Sequence, residues 1–76
     1  MADIFDEILE KVHAFGIHHY GKYPNWLYIN SDHFYKIKAS IDFTRYVDID
    51  LKSGNPSKIF DMQYIIKPEQ KEIEVQ

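Results

Sequence analysis

The feature that most constrains this chain is Tyr23-Pro24-Asn25-Trp26-Leu27-Tyr28-Ile29-Asn30-Ser31-Asp32-His33-Phe34-Tyr35, where a proline turn feeds a short apolar strand that passes straight into a helix. Pro24 pushes Tyr23 into an extended conformation and cannot donate to a ladder, so Lys22 to Asn25 is a turn. Trp26 to Ile29 follows as β-favouring residues with apolar groups on both faces, which predicts a strand buried on both sides in the middle of a sheet. Asn30 or Ser31 caps the helix that follows. Residues 20 to 35 hold six of the chain's twelve aromatics, and Trp26 and Phe34 are expected in the core.

On either side of this unit the hydrophobic periods are clear. Asp3 caps a first helix in which Ile4, Phe5, Ile8, Leu9, Val12 and Phe15 follow the 3.6-residue repeat. That helix ends either at Gly16, with Ile17 behind it, or beyond His18 and His19 at Gly21; the longer version is preferred, and on it Ile17 is the misfit. In the second helix Phe34, Ile37 and Ile41 share a face, while Lys36, Lys38 and Asp42 point outward. From Phe43 to Leu51 the pattern alternates, which predicts a half-buried strand with Arg45 as its exception. Lys52 to Pro56 is a turn cluster, and Lys58 to Ile66 alternates again as the second arm of a hairpin. Residues 67–76 read as an edge strand or a flexible tail.

The expectation is a single small α+β domain of order α-β-α-β-β, with a three- to four-stranded mixed or antiparallel sheet covered on one face by two helices. At 76 residues one core is only marginally sufficient, and with no cysteine there is no disulfide, thiolate metal site or nucleophilic thiol to help. The absence of cysteine fits a reducing cytoplasm. The N-terminal residues lack the basic and apolar regions of a secretory signal, and no apolar run approaches the roughly 20 residues of a membrane-spanning helix. Net charge is −3 and the nine basic residues are scattered, which argues against a dedicated nucleic-acid binder. Four acids in the first ten residues suit the positive end of the first helix.

Catalytic, cofactor and metal motifs are not found. His13, His18, His19 and His33 lack the four-residue spacing of a helical zinc pair. Asp48-Ile49-Asp50-Leu51-Lys52 is similar to the acid-and-lysine signature of metal-dependent nucleases, though Lys52 opens a turn; the plainer reading is the polar face of a hairpin. The isolated glycines at 16, 21 and 54 form no phosphate loop, and the serines occupy caps and turns. Protein contact is the better prospect, because tyrosine and tryptophan dominate hot spots and so small a domain cannot hide them all. The partner-binding candidates are Tyr20, Tyr23, Tyr28, Tyr35, Asp48 and Asp50. The expected partner is a protein or a second copy of the chain. Two alternatives stay open: an acidic inhibitor of a host protein such as a nuclease, and a small hydrolase built on Asp48, Asp50 and Lys52.

The order of helix, Tyr-Pro-Asn turn, apolar strand and capped helix, with the late segment Ile59-Phe60-Asp61-Met62-Gln63-Tyr64-Ile65-Ile66-Lys67-Pro68, resembles small phage or prophage accessory proteins. It is also similar to the strand-to-helix unit in the peripheral domain of HK97-type major capsid proteins. That pattern usually has a glycine before the late methionine, where this chain has Asp61, and the resemblance does not include the extended arm or axial domain of a capsid subunit. It implies an accessory or assembly protein and carries over no catalytic residue.

Overall fold

Asp3 opens the first helix with a reciprocal cap: its side chain accepts from the Ile4 amide, and its own amide donates to Asp6 at 3.1 Å. In the computed structural model, which describes residues 3–76, this helix, α1, runs Ile4–His18. The longer of the two helix ends holds, although His19, Tyr20 and Gly21 form a turn beyond it. The Gly21 amide closes onto the Gly16 carbonyl at 2.7 Å, with Tyr20 and Gly21 both at positive φ. Ile17, the misfit in the pattern, points into solvent.

The strand β1 (Trp26–Ile29) leads into α2 (Ser31–Ala39). Asn30 is the cap: its Oδ1 accepts from the His33 amide at 2.8 Å while its own amide donates to His33 Nδ1 at 3.2 Å. Helix α2 is shorter than its pattern suggested. Ser40 leaves the helix in an extended conformation and donates its hydroxyl to Asp3 at 2.7 Å, so Ile41 lies outside the helix and is 97% exposed.

The segment expected to be one strand from Phe43 to Leu51 begins instead as a single helical turn, α3 (Phe43–Tyr46), and only β2 (Val47–Ile49) is extended. The turn sets Phe43 and Tyr46, three apart, against the core, with the Tyr46 ring 5.3 Å from that of Phe5. The exception, Arg45, faces out and meets Asp42 at 4.0 Å. The hairpin holds, since β2 pairs antiparallel with β3 (Pro56–Ile59).

The second arm does not continue to Ile66. Phe60 and Asp61 both take positive φ, 49° and 62°, and the Ile59 and Met62 backbones exchange hydrogen bonds across them. This tight reversal sends the chain into β4 (Gln63–Ile66), which pairs parallel with β1 in the register Trp26 to Gln63 through Ile29 to Ile66. On the other side of β1 the last strand, β5 (Glu74–Val75), pairs antiparallel, so the C-terminal segment is an edge strand.

The result is an α+β fold with a mixed three-stranded sheet in the order β4-β1-β5 and a separate two-stranded hairpin. Ile4, Phe5 and Ile8 from α1 and Ile37 from α2 meet Leu27 and Ile29 of β1, with Val47, Ile59, Met62 and Ile73 completing the core. The core therefore lies on one face of the sheet.

Candidate functional site

Side chains of a strand alternate between faces. Leu27 and Ile29 are fully buried under the helices, so Trp26 and Tyr28 necessarily point the other way. This corrects the expectation that β1 is buried on both sides and that Trp26 belongs to the core: one face of β1 is dry and aliphatic, the other is aromatic. Trp26 is 36% exposed.

The pairing registers extend that second face. Gln63 lies beside Trp26 and Ile65 beside Tyr28 on β4, and Glu74 lies beside Tyr28 on β5. Ile65 is 37% exposed. Lys67, two residues beyond Ile65, sets its ammonium 4.8 Å from the centre of the Tyr28 ring, an orientation in which the cation faces the negative π-cloud. The Tyr28 hydroxyl donates to Gln76 Oε1 at 3.4 Å. Trp26, Tyr28 and Ile65 thus form an apolar and aromatic strip rimmed by Gln63, Lys67, Glu74 and Gln76, with the helices on the opposite side of the sheet.

The remaining sequence candidates are dispersed. Tyr20 is fully exposed in the turn after α1, and Tyr35 projects from α2 at 71% exposure beside Glu7 and Lys36. Tyr23 is half exposed, but its hydroxyl donates to the Phe60 carbonyl at 2.6 Å. Partial burial, and then the nearby Asp61 carboxylate, hold its pKa above the usual phenol value because both disfavour the phenolate. Asp48 sits opposite Lys58 on the hairpin and shares a surface hollow with Arg45, Tyr46, Phe60 and Asp61. Asp50 is engaged locally, accepting from the Lys52 amide at 3.0 Å and the Ser53 hydroxyl at 3.2 Å. Of the candidates, only Tyr28 lies on the sheet strip.

Two of the four histidines have local partners. His33 completes the α2 cap, and His19 stacks on Phe15 at 3.9 Å while donating Nδ1–H to the Phe15 carbonyl. Among the described residues no group of three His, Asp or Glu side chains is placed to hold a metal ion, and no helix is long and apolar enough to cross a membrane. A hollow of about 250 Å³ between α1 and β5, lined by Phe15, His18, His19 and Val75, is smaller than the usual small-molecule site.

Trp26 and Ile65 are the strip residues that sequence reasoning assigned elsewhere. The signal was present in the composition of β1: its buried pair is aliphatic and its other pair consists of rings with polar tips, the types that tolerate a half-wet surface. The chain matches no family model, and comparison with curated proteins and with solved structures finds no match either.

Proposed function

We propose that this chain is a non-enzymatic protein-binding domain that works in the cytoplasm and docks a protein partner on the helix-free face of its three-stranded sheet. The observation that carries the reading is the coincidence of Trp26, Tyr28 and Ile65 on one sheet face that the fold does not use for its own core. Tryptophan and tyrosine are the residue types in which binding energy concentrates, and here they are rigidly mounted on the central strand with a polar rim around them. The resemblance to phage accessory proteins makes a component of a larger assembly the partner class to seek first. The acidic-inhibitor and hydrolase readings are less well supported, because Asp50 accepts two hydrogen bonds within its own turn.

The test compares capture from native host extract by the wild-type domain and by the Trp26→Ser/Tyr28→Ser double variant, with folding verified by circular dichroism. The expected result is a defined partner retained by the wild type and reduced at least tenfold by the variant. Identical capture by both proteins overturns the proposal.

A further inference from the structure

The two ends of the three-stranded sheet are finished differently. The hairpin packs at β4, whereas β5, beyond its pairing with β1, has α1 beside it. Gln76 exchanges both of its backbone bonds with Trp26, each at 2.9 Å. Such pairs alternate with non-bonded ones in an antiparallel ladder, so Val75, opposite Leu27, turns its N–H and C=O away from β1. Among the described residues these two groups have no hydrogen-bond partner, and β5 is the last strand on that side. Helix α1 runs past the cover that the sheet gives it. Ile4, Phe5 and Ile8 are buried, but the same apolar stripe continues to Val12 and Phe15, which are only partly covered. The hollow of about 250 Å³ lies between this stripe and the strand, with Ala14, Phe15, Ile73 and Val75 as its apolar lining and Lys11, His18 and His19 as the polar groups of its helix wall. Glu74 also borders it, but the two-residue period of a strand turns that side chain to the helix-free face.

We propose that this edge is a strand-addition site, at which an extended segment of a partner protein pairs antiparallel with β5 and sets one apolar side chain into the hollow, followed by a basic and then an acidic residue. The proposal goes beyond the reading of the helix-free face and does not rest on it. The size of the hollow selects the occupant. A cavity of roughly 150 Å³ holds a benzene ring, so this one takes a single leucine or phenylalanine side chain and not a drug-sized molecule. A residue placed opposite Val75 exchanges both N–H···O bonds with it and shares its face, so that side chain enters the hollow. The next residue lies opposite Glu74 on the other face, where a lysine or arginine is its match. The one after returns to the helix side, opposite Ile73. Lys11 stands at that end, because with Ile73 it also lines the adjoining hollow, which holds Glu10 and Lys71. A carboxylate there meets the Lys11 ammonium, and charge complementarity on the two faces specifies the order apolar, basic, acidic. Main-chain bonds supply the affinity of a strand addition and the alternate side chains its selectivity. The contact is short, so binding is weak and sensitive to salt.

The probe is the capped peptide Thr-Thr-Leu-Lys-Glu-Thr, added to the full chain at up to about 2 mM. With it bound, hydrogen exchange of the Val75 amide is expected to slow about tenfold. Ala14→Trp fills the hollow from an exposed helix position and is expected to remove the effect while leaving the helix content unchanged. N-methylation of the peptide leucine deletes the N–H that faces the Val75 carbonyl and is expected to abolish binding, whereas N-methylation of the lysine, whose N–H faces away, is not. Lys11→Glu is expected to weaken this peptide about threefold and to strengthen by the same factor a peptide with lysine in place of the glutamate. No slowing at Val75, equal effects of the two methylations, or slowing that survives Ala14→Trp overturns the proposal. Protection of Val75 that rises with protein concentration in the absence of peptide also overturns it, and assigns the edge to a second copy. The readout does not use Trp26 or Tyr28, so its failure leaves the helix-free face standing, and failure of capture on that face leaves this site standing.

Discussion

The reversal at Phe60 and Asp61 holds two non-glycine residues in the left-handed region, at a cost of about 1–2 kcal/mol each. Tight two-residue hairpin turns normally place Asn-Gly there. Phe60 is retained by packing, with its ring 5.6 Å from Phe5 and 4.7 Å from Tyr46, and its amide donates to the Tyr46 carbonyl. Asp61 is exposed and makes no comparable contact. The two positions therefore respond in opposite directions to glycine. Asp61→Gly is expected to stabilise the fold by about 0.5–1 kcal/mol, and Phe60→Gly to destabilise it by about 3 kcal/mol despite relieving the same strain. Urea denaturation of the two variants measures both signs. Tyr23 and Tyr64 tie this region down by donating to the Phe60 and Pro56 carbonyls, and burial raises the pKa of both phenols. Above the unfolded phenol pKa near 10 the unfolded chain loses these protons first, so stability is full below that pH and falls as pH rises through the folded values. The Tyr23→Phe/Tyr64→Phe variant is expected to lose about 1–3 kcal/mol at neutral pH and to show a shallower alkaline decline in melting temperature.

At the scale of elements, Asn30 makes the junction between β1 and α2. It caps α2 and also donates Nδ2–H to the Gln70 carbonyl at 2.8 Å, linking that helix start to the segment before β5. Asn30→Ala is expected to cost about 2 kcal/mol, and Asn30→Asp, which keeps the cap but cannot donate to Gln70, roughly 1 kcal/mol; thermal denaturation distinguishes them. The elements that could be read from the sequence are those whose signals are redundant. For α1 the cap, the acidic first turn and a four-turn period agree, and for α2 the Asn cap follows an apolar strand. The misread elements are those whose signals coincide with another period. Phe43, Val47 and Ile49 satisfy alternation, but Phe43 and Tyr46 equally satisfy one helical turn, and over four residues the two patterns cannot be separated. The break inside the second hairpin arm carries no glycine, so Phe60-Asp61 reads as strand until packing around Phe60 imposes the turn. The same holds for the candidate site: spacing could identify an aromatic surplus, but which face of β1 lies against helices depends on where β4 and β5 pair.

Among the described residues the core comprises ten buried hydrophobic side chains drawn from both ends of the chain, and the C-terminal segment is part of it. Ile73 is 3% exposed among the core residues. Beyond it, the Gln76 carbonyl accepts from the Asn25 and Trp26 amides at 2.8 and 2.9 Å, and the Gln76 amide returns a bond to the Trp26 carbonyl. These bonds make β1 a central strand. Without them its backbone groups on that side would be left without partners, and the sheet would have only β1 and β4, fewer strands than an independent sheet usually needs. A domain of this size has a total stability at the low end of the usual 5–15 kcal/mol. Ile73→Ala removes a buried aliphatic group worth about 2–5 kcal/mol, enough to take up much of that margin. We therefore expect Ile73→Ala to lower the denaturation midpoint sharply, and a chain ending at Glu72 to lose the dispersed amide spectrum of a folded protein. The exposed Glu72→Ala should leave both unchanged. Retention of a cooperative thermal transition by the truncated chain would mean that the last four residues are a dispensable tail and that β1 is stable as an edge, contrary to the order β4-β1-β5 on which the binding face depends.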